Sequence, residues 1–203
     1  MAMTNYTELQ ASVLAWSARA DTAFTSMVPD FIRLGEERIW RDLRVNRMIE
    51  FGTLTILAGQ NWVALPSNWV EFDSVTFDDG GQQRKLEYRS YDALLVENES
   101  AGRYYYSIKG TRLIYGFTPS SDTNLDVTYF KRADPLATTS TNWLLTDSPS
   151  VYLYSALLEG AVYAKNAAKV GEYGTLFDKS MAQIQDADGA AKVSGSRLRM
   201  VAR

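Results

Sequence analysis

The hydrophobic residues of this 203-residue chain change their spacing twice, and these two changes limit the folds that the chain can adopt. Residues 1–48 and 142–188 have apolar side chains every three or four positions, which is the spacing of amphipathic helices. Between them, residues 49–141 contain short runs rich in Tyr, Val, Thr and Phe, separated by turn residues, which is typical of β-strands. The pattern predicts an α+β protein. Helix pairs from both ends of the chain would pack as one helical body that carries an inserted antiparallel β region.

Start signals precede three of the predicted helices. Asn5, followed three residues later by Glu8, has the form of a capping box at a helix N-terminus. Proline suits the first position of a helix, which Pro29 and Pro149 would occupy. The helices are predicted at residues 5–19, 28–46, 149–165 and 170–188.

Basic side chains recur every three residues along the second predicted helix: Arg38, Arg41, Arg44 and Arg47. This interval drifts slowly around a helix and would make a basic ribbon. Acidic side chains are interleaved with the arginines and would partly neutralise them: Glu36, Glu37, Asp42 and Glu50. We therefore favour a salt-bridged helix face over a nucleic-acid contact, and we interpret Glu36 and Glu37 as part of a solvated face.

Residues 189–203 contain four basic side chains and no acidic one. They have few large apolar side chains, so burial cannot offset an ordering entropy of about 1–2 kcal/mol per residue. We expect an extended basic tail that becomes ordered only against another protein. Arg197 and Arg199 alternate with Leu198 and Met200, so an extended strand would present charge on one side and apolar groups on the other.

The sequence contains no histidine and no cysteine. This removes the usual general base at neutral pH, the commonest zinc ligand and every Ser-His or Cys-His pair. No Gly-x-Ser-x-Gly elbow or phosphate-binding motif is present, and Asp73, Asp78 and Asp79 do not follow the spacing of a calcium loop. We assign no catalytic, cofactor-binding or metal-ligating residue and expect the chain not to be an enzyme.

Charge and hydropathy argue against nucleic acid and membranes as dedicated binding partners. The net charge of −3 argues against a dedicated nucleic-acid binder, whose domain usually has a strong basic excess. No apolar run approaches the roughly 20 residues of a membrane span, and no basic stretch followed by an apolar one opens the sequence. We therefore expect no membrane partner.

Two other functions remain open from the residues alone. The first is a glycan-binding module on a helical stalk, in which Trp62, Trp69 and Tyr104–Tyr106 would form a stacking platform. It requires an exposed coplanar aromatic pair, whereas core and inter-subunit packing is the interpretation that we favour. The second is a glycosidase that uses carboxylates alone, which requires a cleft with two convergent carboxyl groups and at least one raised pKa.

Four stretches, taken together and in order, resemble the head-to-tail adaptor (connector) proteins of tailed bacteriophages. They are the helix at residues 29–44, the strand and Pro-x-x-Trp turn at residues 64–72, the Asn-Trp-Leu-Leu-Thr-Asp-Ser-Pro segment within residues 142–159, and the ending at residues 194–200. Each stretch is a packing or turn signature and none is catalytic. They are distributed over nearly the whole chain.

The resemblance implies a structural subunit of a ring, typically of twelve copies, that lies beneath the portal and lets DNA pass through its lumen. Residues 1–48 and 142–188 would form the ring wall, with wall contacts from the four arginines of the second helix. The β insertion would face the tail, and residues 189–203 would dock on a neighbouring copy or on the portal through Arg197, Leu198, Arg199 and Met200. The implied partners are the portal, other copies and a downstream tail protein. The implied location is the virion neck, and assembly would take place in the host cytoplasm. No cofactor is expected.

Overall fold

The computed structural model describes residues 3–96 and 104–193. It is a mixture of helices and sheets, which confirms the α+β class. The chain divides into a helical unit, Met1–Asn46 with Ala133–Arg203 as far as these are described, and a β unit, Arg47–Arg132. No helix in the described ranges combines the length and the apolar character that a membrane crossing needs.

Seven α-helices and one 3-10 turn are present in the described residues. They are α1 (Tyr6–Ser17), α2 (Thr22–Asp42), the 3-10 turn (Asn46–Met48), α3 (Tyr91–Val96), α4 (Leu136–Thr139), α5 (Trp143–Asp147), α6 (Pro149–Tyr163) and α7 (Ala167–Val193).

Helix α1 begins with the predicted cap. The side chain of Asn5 accepts a hydrogen bond from the backbone N–H of Glu8 at 3.0 Å. The Glu8 carboxylate accepts from both the N–H and the hydroxyl of Thr4, each at 2.7 Å, and these bonds lower the pKa of Glu8. Side-chain oxygens therefore accept hydrogen bonds from two backbone N–H groups at the start of α1, as a capping box requires.

Helix α2 begins earlier than predicted, because Pro29 lies inside it and not at its start. Asp21 is the actual cap, and its side chain accepts from the N–H of Phe24 at 2.9 Å. A proline within a helix costs about 3 kcal/mol. Phe24 is buried four residues before Val28, so it extends the apolar stripe by about one turn, and its burial favours the earlier start.

Helix α7 continues to Val193, so residues 189–193 are helical and the predicted extended tail does not begin at residue 189. Two alanines after Gly189 favour the helix, and the Lys192 ammonium pairs with the Asp188 carboxylate at 2.8 Å, one turn away. Asp188 also accepts from the backbone N–H of Asn46 at 2.7 Å. Residues 194–203 lie outside the described part of the chain.

Helix α6 is the most buried helix of the helical unit and contacts α1, α2 and α7. It crosses α2 closely at Gly35, where an added Cβ would lie 2.5 Å from the Ser155 hydroxyl oxygen and 3.0 Å from the Ser155 Cβ. Gly160 makes a second close approach, since an added Cβ there would lie 3.1 Å from the Phe24 ring. Packing therefore favours glycine at Gly35 most strongly, whereas a Cβ at Gly160 would need only a small shift of the Phe24 ring.

Residues 133–141, which the sequence pattern assigned to the β insertion, belong to the helical unit. Leu136 is completely buried. The Ser140 carbonyl accepts a hydrogen bond from the backbone N–H of Tyr6, at the start of α1, at 2.7 Å. One buried leucine and main-chain hydrogen bonds hold this segment on the helical unit. The segment is too short to show a helical period, so its sequence did not indicate where it belongs.

The described residues of the β unit form eight strands in two four-stranded sheets: β1 (Ile49–Ile56), β2 (Trp62–Ala64), β3 (Trp69–Asp78), β4 (Gln83–Lys85), β5 (Glu87–Tyr88), β6 (Tyr105–Lys109), β7 (Arg112–Tyr115) and β8 (Thr123–Lys131). The first sheet has the order β1-β8-β3-β4 and the second β2-β7-β6-β5. Pairing is antiparallel except between β5 and β6, which are parallel, so the wholly antiparallel prediction was wrong there. Buried residues of both sheets form one core.

Candidate functional site

The four arginines predicted as a ribbon do not share one helix. Arg38 lies on α2, and its guanidinium contacts the Glu159 carboxylate of α6 through Nη2 and through Nε, the latter at 3.0 Å. This ion pair joins two helices of the same subunit. Arg41 also lies on α2 and is exposed. Arg41 and Arg47 are the two exposed members of the set.

Helix α2 ends at Asp42, so Arg44 and Arg47 lie beyond it and the ribbon prediction was wrong for both. The helix ends there because Leu43, which is fully buried, adopts an extended backbone with ψ of 124°. The Arg44 Nη1 donates to the carbonyls of Leu43 at 2.7 Å and Trp40 at 3.2 Å. Arg47 is part of the 3-10 turn and belongs to the β unit.

Glu36 was predicted on a solvated helix face, and this was wrong, because the residue is only 7% exposed. Its carboxylate accepts a hydrogen bond from the backbone N–H of Leu136 at 2.9 Å. Burial raises the pKa of Glu36, and the Leu136 N–H opposes that rise. The adjacent Glu37 is exposed and pairs with Arg33 at 2.7 Å, so the two carboxyl groups do not act together.

Replacing Glu36 with glutamine is expected to remove a pH dependence of stability. Because the folded-state pKa is raised above its ordinary value of 4.5, the native state binds more protons than the unfolded state just above that pH. Native stability therefore falls as the pH rises through the raised pKa. The amide of E36Q still accepts from Leu136 without a charge. In urea unfolding, the stability of the variant relative to the native chain should therefore rise as the pH rises above the ordinary value of 4.5.

Two further variants test this account of Glu36. Glu36→Ala leaves the buried Leu136 N–H without an acceptor, so its free energy of unfolding should lie about 1–3 kcal/mol below that of E36Q at every pH. Glu37→Gln is the matched control, since an exposed ion pair contributes about 0–1 kcal/mol. An E36Q difference that stays constant with pH would show that Glu36 does not titrate as its burial implies.

Hydrogen bonds within the helical unit hold the segment around Glu36. The Asn142 amide donates to the Tyr152 hydroxyl at 2.7 Å, and its oxygen accepts from the N–H of Leu145 at 2.9 Å, at the start of α5. Burial also raises the pKa of Tyr152. These polar groups tie residues 136–145 to α2 and α6 within the core. Among the described residues no second carboxyl group converges on Glu36, as a glycosidase would require.

No cluster of three acidic residues able to hold a metal ion is found in the described residues, which include Asp73, Asp78 and Asp79. Asp78 instead accepts a hydrogen bond from the backbone N–H of Gly81, which has a positive φ of 91°. Asp78 and Asp79 therefore lie at the turn between β3 and β4, whereas Asp73 lies within β3.

The aromatic side chains of the β unit do not form a flat platform. The ring pairs within the described part of this unit have interplanar angles from 50° to 89°, whereas a glycan platform requires coplanar rings. Tyr106 packs in the core, as predicted. The Trp62 ring is covered by the Arg112 guanidinium at 3.7 Å from its centroid, and the Tyr105 ring by that of Arg89 at 4.6 Å. The glycan alternative therefore gains no support.

A surface that the sequence pattern did not identify lies on the outward face of the first sheet. Phe51 on β1 is 80% exposed. It borders a depression of about 330 Å³ that also contains Thr53, Thr76, Thr128 and Asp126. The alternation of Phe51, Thr53 and Thr55 predicts a strand, but a single sequence cannot show that β1 lies at the edge of its sheet.

The predicted docking residues Arg197, Leu198, Arg199 and Met200 lie outside the described residues. The sequence matches the family described as SU10 adaptor protein over residues 4–200. This match includes both the helical unit and the β unit. No curated protein matches the chain.

Proposed function

Because the chain belongs to the SU10 adaptor protein family, we propose that it is a subunit of a ring that joins the portal of a tailed bacteriophage to its tail. A family match over residues 4–200 carries the proposal, since it covers both units and most of the basic segment. The family makes the chain a structural adaptor and a virion component. Ring formation, a copy number of about twelve and the passage of DNA are the finer parts of the proposal.

The chemistry of the described residues is consistent with a protein that works by contact. The carboxyl group with a raised pKa is enclosed in the core, and the aromatic rings of the β unit pack on one another or under arginine side chains. We propose that the helical unit forms the wall, with Arg41 available to a neighbouring copy, and that Arg38 and Arg44 stabilise the subunit itself. The β unit would face a downstream tail protein, and assembly would take place in the host cytoplasm.

The proposal is tested by mixing the full chain with the purified portal ring of the same phage. We expect a complex that contains many copies of the chain on one portal, visible as a mass increase in analytical ultracentrifugation and as an added ring in electron micrographs. A matched control uses a portal from an unrelated phage. Failure to bind the cognate portal, with the chain folded, would overturn the proposed function.

A further inference from the structure

The outer edge of β1 is the longest strand edge that the β unit leaves unpaired among the described residues. The edge strands of the two sheets are β1 with eight residues, β4 and β2 with three each, and β5 with two. Soluble proteins usually protect edges by making them short or by placing lysine or proline on them. Three of the four edges are short, whereas β1 is long and contains neither residue. This edge therefore offers backbone donors and acceptors to an added strand.

The two faces of β1 differ in character. Leu54 and Ile56 face the core, and Ile56 is fully buried, whereas Phe51, Thr53 and Thr55 face outward. On the outward face, Asp126 of β8 lies opposite Thr53 in the register. Its carboxylate accepts from the Thr53 hydroxyl at 3.1 Å and the Gln83 amide at 3.5 Å. No cation pairs with it in the described part of the chain.

The C-terminal segment has the same two-sided pattern as β1. Helix α7 ends at Val193, which leaves ten residues, 194–203, at about 3.3 Å each when extended. This length is sufficient to follow the eight residues of β1. In an extended conformation Arg197, Arg199, Val201 and Arg203 share one side, and Leu198, Met200 and Ala202 share the other.

We propose that residues 194–203 of one copy add as a strand to the outer edge of β1 in a neighbouring copy. The apolar side would continue the core beside Leu54 and Ile56. The arginine side would lie on the outward face, where Phe51 offers a ring and Asp126 an unpaired carboxylate in the depression of about 330 Å³. Strands lie about 4.8 Å apart, so a long arginine side chain reaches across β1 to Asp126. The inference rests on the proposed ring and names the surface that joins its subunits.

Single cysteines test this pairing cleanly, because the chain contains none of its own. One full-length variant carries Thr53→Cys and a second carries Val201→Cys, and the two are mixed with a short bismaleimide. We expect a covalent heterodimer. Gln83→Cys is the matched control, because it lies on the outward face of the same sheet but on the opposite edge strand. It should give little cross-linking with V201C.

The recognition chemistry is tested in the same assay. Asp126→Asn and Phe51→Ala should each lower the cross-linking yield about two- to fivefold, as expected for one exposed ion pair or one cation–π contact. A peptide of residues 194–203 in excess should compete with the intact chain. Equal yields from T53C and Q83C would overturn the proposal, as would T53C homodimers in place of heterodimers.

The remaining outcomes separate this inference from the proposed function. If rings form and bind the portal while T53C and V201C never cross-link, the inference is wrong and the adaptor function stands. If a chain carrying both cysteines cross-links only within itself, the exchange between copies is wrong. If neither rings nor portal complexes form, both the function and the inference are overturned.

Discussion

Replacing Gly35 with leucine is expected to destabilise the helical unit by about 3 kcal/mol or more, because the crossing of α2 and α6 has no space for a side chain. Even a single Cβ would lie 2.5 Å from the Ser155 hydroxyl oxygen, and part of the obstruction is the backbone N–H of Ala156, at 3.3 Å. The hydroxyl of Ser155 is itself held by a bond to the Tyr152 carbonyl at 3.0 Å. Thermal and urea unfolding of the full chain measure the loss.

Alanine variants distinguish a packing effect from a helix-propensity effect. An exposed helical glycine gains up to about 1 kcal/mol when it becomes alanine. Gly174→Ala on α7 should show that gain, since no atom lies within 4 Å of its added Cβ. Gly35→Ala should instead lose stability, and Ser155→Gly in the same chain should restore part of it. A G35A chain as stable as G174A would show that the helices can separate at no cost.

Deleting residues 194–203 is expected to abolish assembly while the unfolding temperature stays nearly unchanged. The last described contact of α7 is the ion pair of Lys192 with Asp188, which the deletion preserves. Removing Arg197, Leu198, Arg199 and Met200 would eliminate the proposed docking segment. Sedimentation of the truncated chain, alone and with the portal, should show a subunit that neither forms rings nor binds.

The control for the deletion is a full-length chain in which the same segment is kept but its alternation is destroyed. Exchanging Leu198 with Arg199 keeps length and charge and moves an arginine to the apolar side. This variant should assemble poorly while unfolding at the native temperature. Normal assembly of either variant into infectious particles would rule out a docking role for the segment.

The periodic part of the fold could be predicted from the sequence, because burial follows spacing on a helix. The stripe of Val28, Ile32, Gly35 and Ile39 is buried as its period indicates, and Asn5 caps α1. Gly35 was predicted on the apolar stripe, but its contact with Ser155 joins parts of the chain more than a hundred residues apart. No local pattern specifies that partner.

The incorrect predictions for Pro29 and Glu36 share one physical cause, which is tertiary packing that overrides a local signal. Pro29 is a helix-start signal, yet buried Phe24 makes an earlier start favourable. Glu36 has the composition of a solvated face, yet the Leu136 segment covers it. The edge position of β1 depends on strand order, which only the whole β unit determines. The candidate docking surface at the outer edge of β1 could therefore not be predicted from the sequence.

The central position of α6 has a consequence for how the chain folds as it is synthesised. Residues 47–132 are translated before Pro149–Tyr163 exist, so the β unit can close its core while α1 and α2 still lack their main partner. The side chains of Phe24, Ile32 and Ile39 on α2 remain without their packing partner until α6 has been synthesised. The β unit lies in the segment that connects α2 with α6. When it is already folded, the effective length of this connecting loop is shorter, which lowers the entropic cost of bringing the two helices together. Insertion of the strands within the helical part thus makes the late, long-range step of folding less costly.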